Sequence, residues 1–303
     1  MRRKFRRRFL RWIAGFALTA GWNLIHLLSW KQASLLGTWL GRAIYLFPTR
    51  MKHITLSNLK LVLGDSLPEA DRRKIAAAVF RNISRYMMQA LKLRDLSGPE
   101  IDALVDGGTA QSALESSMAA GKSAIILTGH YSNWELLAAK IARIAPLTVL
   151  ARINDNPAIQ KWIDEARSSH SIVVIDRDSP SAARSLKQIS MSGGQIVGLL
   201  MDQDTRVKSV FVPFLGHLAN TPSGPAAFAL KHWFDTYVGF IEEQPDGRYA
   251  LKLSEKLEFE PSGTPDEDVL RVTTAINERI GEQILRVPEQ WVWFHRRWRR
   301  KAD

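Results

Sequence analysis

The sequence predicts an α/β fold: a central, mostly parallel sheet flanked by helices, with an N-terminal membrane-attached helical segment ahead of it. Two observations predict the core. Between residues 124 and 241, short apolar, β-branched runs alternate with stretches of helical periodicity, the rhythm of strands joined by crossover helices. In addition, 46% apolar residues in a chain of 303 supply core for one large domain. The third observation predicts the membrane segment. Residues 12–30, WIAGFALTAGWNLIHLLSW, carry no charge and follow directly on a run of bases.

That first segment lies at the lower length limit for a membrane span, and Asn23 and His26 weaken a full crossing. No small-x-small cleavage site follows it, which argues against a signal peptide. In the next segment, Leu36, Leu40, Ala43, Ile44 and Phe47 recur at three- and four-residue spacing, as on a helix with one oily face. Residues 9–48 therefore read as membrane-anchoring helices, with 1–48 as the anchor region and 49–303 as the α/β domain. Residues 66–93 read as a helix opened by a Ser66/Glu69 capping box. The runs at 124–127, 147–151, 172–175, 196–201 and 237–241 read as strands. Helices are expected from about Trp134, over 157–168, over 182–189 and around 226–233. Residues 249–259 alternate like a half-exposed edge strand. The last long helix follows Thr264, with Glu267 placed for a capping box and Val269, Val272, Ile276, Ile280 and Ile284 as its buried stripe.

The formal charge of +12 is concentrated at the two ends, with seven bases in residues 1–11 and five in 296–303; the rest of the chain is close to neutral. Both basic ends border Trp-rich apolar sequence, which suits an anionic membrane surface better than a nucleic-acid groove. No nucleic-acid partner is expected. The absence of cysteine excludes disulfides, thiolate catalysis and cysteine-ligated zinc.

His130 is the candidate with chemistry. It ends the strand at 124–127, at the carboxyl edge where open α/β sheets gather their ligands. Glu135 follows in the first turn of the next helix and is placed to accept from one imidazole nitrogen, leaving the other to take a proton. A structural His–Glu hydrogen bond is the plainer alternative. Asn133 is a helix cap or a supporting residue of the site. Asp202 and Asp204 end the apolar strand QIVGLLM, as Asx-turn residues or as partners for Arg152 or a substrate sugar. The remaining histidines, at 26, 53, 170, 217, 232 and 295, lack ligand spacing, so no metal is expected. There is no Gly-x-Ser-x-Gly elbow and no phosphate-cradling glycine loop, and no cofactor is called for.

His130-x-x-x-x-Glu135 resembles the His-(four residues)-Asp/Glu motif of glycerolipid and lipid A acyltransferases. Further blocks resemble the lipid A (lauroyl/myristoyl) acyltransferase family, within the lysophospholipid acyltransferase-like superfamily, and stand in that family's order. They are ARINDNPAIQKWIDEAR at 151–167, MDQD at 201–204 with VFVPFLG at 210–216, TPSGPAAFA at 221–229, and PEQWVWFHRRWRR at 288–300. The resemblance implies a cofactor-free O-acyltransferase in which His130 deprotonates an acceptor hydroxyl that attacks an acyl thioester. It implies acyl carrier protein as donor and a lipid A precursor as acceptor, at the bacterial inner membrane with the catalytic domain facing the cytoplasm.

Within that mechanism Arg152 is the candidate for the oxyanion or for an acceptor phosphate; its plainer alternative is a surface salt bridge to Asp155 or Asp164. Phe211 and Phe214 are candidates for an acyl channel, or simple core. Trp291, Trp293 and Trp298 with the terminal arginines either dock on anionic headgroups or pack on the core. Another lipid acceptor (a glycerolipid, an ornithine lipid or a phosphoinositol mannoside) is the alternative within the enzyme class. The glycerolipid branch is disfavoured because no Glu-Gly-Thr-Arg block is present. A non-enzymatic membrane-surface or nucleic-acid-binding protein is the alternative outside it.

Overall fold

The computed structural model describes residues 25–64, 66–231 and 234–301. The helices are α1 (Trp30–Leu46), α2 (Arg50–Leu63), α3 (Glu69–Lys92), α4 (Gly98–Leu104), α5 (Gly108–Ala119), α6 (Trp134–Ile144), α7 (Pro157–Ser168), α8 (Ala182–Ser192), α9 (Gly224–Leu230) and α10 (Pro265–Arg286). The strands are β1 (Val105–Asp106), β2 (Ala124–Thr128), β3 (Leu147–Ala151), β4 (Val173–Asp176), β5 (Ile196–Leu200), β6 (Ser209–Phe214), β7 (His217–Pro222), β8 (Asp235–Glu243) and β9 (Tyr249–Leu253). Seven strands form one sheet in the order β1-β9-β8-β2-β5-β3-β4, parallel except where β9 runs antiparallel to β8. The predicted α/β class and mostly parallel sheet are therefore the observed ones.

The central strand β2 is buried along its whole length, as expected of a strand covered on both faces. Its register with β5 pairs Thr128 with Leu200. Residues 130 and 202, two steps beyond that pair, are thereby delivered to the same point above the sheet. β6 and β7 form a separate hairpin against α10, where Asn277 Nδ2 donates to the Pro213 carbonyl. Residues 210–216 are thus strand and turn. Phe214 is core, ringed by Trp291, Trp298 and the Arg297 guanidinium.

Neither predicted capping box forms. α3 starts at Glu69, whose carboxylate pairs with Arg73, while the Ser66 hydroxyl turns back to Leu63 at the end of α2. At α10 Thr264 makes no side-chain cap; Asp268 instead takes the Ser262 N–H and an Arg271 ion pair. The α10 stripe is otherwise as expected, with Val272, Ile276, Ile280 and Ile284 fully buried.

α1 leaves much of its predicted oily face exposed. Its buried face is Ala33, Gly37 and Gly41, and Leu36, Leu40 and Phe47 are exposed. A Cβ at Gly41 would lie 2.3 Å from the Phe80 carbonyl and one at Gly37 2.6 Å from Arg85 Cα. Small residues let the two backbones touch, and that close packing on α3 outweighs the oily face. Among the described residues no helix is long and apolar enough to cross a membrane. Of the first predicted membrane segment, residues 12–24 lie outside the described residues.

Candidate active site

His130 stands at the carboxyl end of β2. Gly129 before it has no side chain, and a Cβ there would meet Asp202 Oδ2 at 3.0 Å, so glycine lets that carboxylate close in. After His130 the chain turns sharply into α6. Ser132 adopts a φ of 50°, a conformation that costs a non-glycine residue free energy and is held here by the surrounding packing. Asn133 caps α6, accepting the Leu136 N–H, and its amide donates to Gln89 of α3.

The imidazole is held by Asp202. His130 Nδ1 donates to Oδ1 at 2.7 Å, while Oδ2 takes the His130 backbone N–H and the Trp291 indole N–H, each at 2.7 Å. Asp202 is fully buried. Burial alone would raise its pKa, but the facing His130 and the hydrogen bonds outweigh it and hold the carboxyl well below the usual range. An ionised carboxylate only accepts, so the proton of neutral His130 sits on Nδ1 and Nε2 carries the free lone pair.

Glu135, expected on the imidazole, does something else. Its carboxylate forms a two-pronged pair with Arg167 of α7, at 2.7 and 3.1 Å. The reason is direction. α6 carries Glu135 onto the face that packs towards α7, whereas the β2–β5 register has already set Asp202 beside Nδ1. Burial works against the Arg167 charge, but the paired carboxylate prevails and raises its pKa.

Glu135 and Arg167 line an apolar cavity between α6 and the sheet, together with Trp134, Leu137, Ala138, Ile141, Val149 and Gly198. Trp134 also packs edge-on against His130, with ring centroids 5.1 Å apart. Thus the histidine and the cavity share a wall.

Arg152 makes no hydrogen bond or ion pair to His130, Asp202 or Glu135. It is 57% exposed and bound to Asp155 at 2.8 Å, one of the two surface pairs considered from sequence. Asp204 does not meet Arg152 either. It holds Arg299 at 2.7 Å and accepts from Asn220 at 2.9 Å, fastening the C-terminal segment.

Four residues of the site escaped sequence reasoning: Arg167, Gln203, Trp291 as an Asp202 donor, and His295. Gln203 Nε2 lies 2.8 Å from His295 Nε2 and within 3.2 Å of both His130 ring nitrogens. Burial, with the nearby His130 adding and Asp202 opposing, pushes His295 down to about 4. Trp291 and Trp293 are completely buried, so these tryptophans belong to the core and not to a headgroup belt. The available signal was position alone: Gln203 sits between the two aspartates, and Arg167 closes the block at 151–167.

Residues 1–300 match the bacterial lipid A biosynthesis acyltransferase family. The chain belongs to that family. It is an acyltransferase, as its relatives in the family are named. One relative, the lipid A biosynthesis lauroyltransferase of Escherichia coli (strain K12), is 27% identical, over 96% of this chain and 93% of that protein. The palmitoleoyltransferase of the same strain is 23% identical, over 98% and 95%. A phosphatidylinositol mannoside acyltransferase of Mycolicibacterium smegmatis is 21% identical, over 94% and 91%. The names of these relatives therefore refer to more than one lipid acceptor.

Proposed function

We propose that this protein transfers a fatty acyl chain from the thioester of acyl carrier protein to a hydroxyl of a lipid A precursor, with His130 as general base. The observation that carries this reading is the fully buried Asp202 fixing the proton of His130 on Nδ1, beside an apolar cavity. His130 Nε2 takes the acceptor's hydroxyl proton as that oxygen attacks the thioester carbonyl. The C–S bond of the tetrahedral intermediate then breaks, and the thiolate receives the proton from His130. Base assistance of this kind contributes about 10²–10⁴-fold.

Arg167, kept in place by Glu135, is the cation nearest the cavity and serves the developing oxyanion. Arg152 follows Ala151, which lines the cavity, and is placed to meet an anionic group of the acceptor at the rim. Placement at a cytoplasmic membrane surface is supported by Leu35, Leu36, Trp39, Leu40 and Phe47, all exposed on or just after α1. Arg42 is stacked over Trp39 there at 4.7 Å.

The decisive assay follows labelled acyl chains from acyl carrier protein, or from coenzyme A, to a tetra-acylated lipid A precursor or a phosphatidylinositol mannoside. Transfer to the lipid A precursor that falls at least a hundredfold in His130→Ala is the expected result. Transfer only to the mannoside would sink the acceptor assignment, and full activity in His130→Ala would sink the base.

Acyl length gives a second test. Gly198 of β5 lines the cavity, and a Cβ there would lie 3.3 Å from Val149 Cγ1 and 3.7 Å from Leu147 Cδ1. Gly198→Met is expected to shift preference towards donors shorter by about two to four carbons, at about 0.8 kcal/mol per methylene excluded. Mass spectrometry of products from a mixture of donors reads this, and an unchanged length profile would remove the cavity as the acyl site.

A further inference from the structure

Gln203 makes an unusual contact with His130. Its amide nitrogen is 3.0 Å from Nε2 and 3.2 Å from Nδ1. An atom in the ring plane at such distances from both nitrogens would overlap Cε1, so the amide lies over the face of the imidazole. The lone pair of Nε2, which lies in the plane, is therefore left open, and among the described residues no other donor reaches it. The same amide nitrogen is 2.8 Å from His295 Nε2, and the two imidazole centroids are 5.1 Å apart.

We propose that Gln203 and His295 are a positioning pair for the base, in which His295 fixes the direction of the Gln203 amide so that an N–H is held against the face of His130. This rests on the assignment of His130 as base. His295 stays neutral at working pH, since burial pushes its pKa down to about 4, and so offers Nε2 as an acceptor. That acceptor satisfies one amide N–H and dictates that the NH₂ end, not the oxygen, faces the histidines. The second N–H lies over the π-face of His130.

Two consequences follow for the reaction. Trp134 packs edge-on against the same ring, so both the amide and the indole restrain it while its in-plane Nε2 remains accessible. The positive end of the N–H dipole also disfavours the imidazolium. A base that accepts the hydroxyl proton must next surrender it to the departing thiolate. The other titratable groups that face His130 are Asp202, from the loop after β5, and His295, from the C-terminal segment. Glu135 on α6 is engaged by Arg167, and Arg297 acts on Asp202 through space.

The test is the pH dependence of kcat/KM for acyl transfer, with thermal melts to verify folding. In Gln203→Glu, a carboxylate replaces the N–H over the ring. The acid limb is expected to move up by about one pH unit, with about threefold lower activity at pH 7, recovery by pH 9 and an unchanged KM for the acyl donor. His295→Phe frees the amide and is expected to shift the limb the same way, whereas His295→Gln restores an acceptor and returns it to the wild-type position. An unmoved limb in Gln203→Glu overturns the proposal. If Gln203→Glu does not fold, the His295 variants decide: like behaviour of Phe and Gln at that position overturns the proposal as well. Activity that survives His130→Ala would instead sink the base itself, a failure distinguishable from that of the pair.

Discussion

Asp202→Asn is expected to lower kcat about 10³–10⁴-fold with little change in KM, the loss that follows when the orienting acid of a histidine base is made an amide. Asp202 accepts three N–H donors, one on Oδ1 and two on Oδ2. Asparagine has one oxygen and one NH₂. If its oxygen keeps the His130 and Trp291 N–H groups, its NH₂ faces Nδ1 and forces the imidazole proton onto Nε2, occupying the lone pair the reaction needs. If it turns round, the NH₂ confronts two donors in a fully buried site, at about 1–3 kcal/mol. Steady-state kinetics with a melting curve separates these cases. Near-wild-type turnover in Asp202→Asn would show that the His130 tautomer is not limiting.

Glu135→Ala is expected to act by another route. It strands the Arg167 guanidinium, whose side chain is 14% exposed against 19% for its partner. Losing one partner of a buried pair costs about 3–5 kcal/mol, and about 2–4 here because both groups retain some contact with solvent. Activity falls with it, by at least about a hundredfold, because a cation that has lost its anchor no longer sits where the oxyanion forms. The double variant Glu135→Ala/Arg167→Met is expected to regain most of the stability and none of the activity. The acid limb of the pH profile stays in place in Glu135→Ala, since Nδ1 remains on Asp202. A shifted limb would return Glu135 to the role that spacing alone suggested for it.

These two predictions differ because a motif in the chain and a contact in space are different facts. The spacing from His130 to Glu135 was legible and chemically sensible, and so was the strand end that carries the histidine. Which carboxylate meets the imidazole was not legible, because it depends on which strand lies beside β2. β2 and β5 are separated by two strands and three helices in the chain, yet they are hydrogen-bonded neighbours in the sheet. Buried parallel strands are apolar on both faces, so their composition carries no record of their partners. His295 illustrates the same limit. It was set aside for want of ligand spacing, and only the return of the C-terminal segment along the catalytic loop brings it near His130. There Val292 N–H donates to the His130 carbonyl at 3.2 Å.

The helices divide along similar lines. The α10 stripe followed from 3.6-residue periodicity because that helix has one core to face. α1 has two faces, and periodicity identified the oily one, which stays exposed. The opposite glycine face is the buried one because it permits backbone contact with α3, which no hydropathy pattern encodes.

By itself the sequence determined the α/β class, the order of its central elements, the histidine at the end of a strand and the family's ordered blocks. These depend on local pattern and chain order. Tertiary structure alone decided that Asp202 holds the His130 imidazole, that Glu135 holds Arg167, that Gln203 lies between His130 and His295, and that Trp291 and Trp293 are core. Each of these joins residues far apart in the chain. Side-chain pairing at such range is fixed by sheet register and packing, which exist only once the chain has folded.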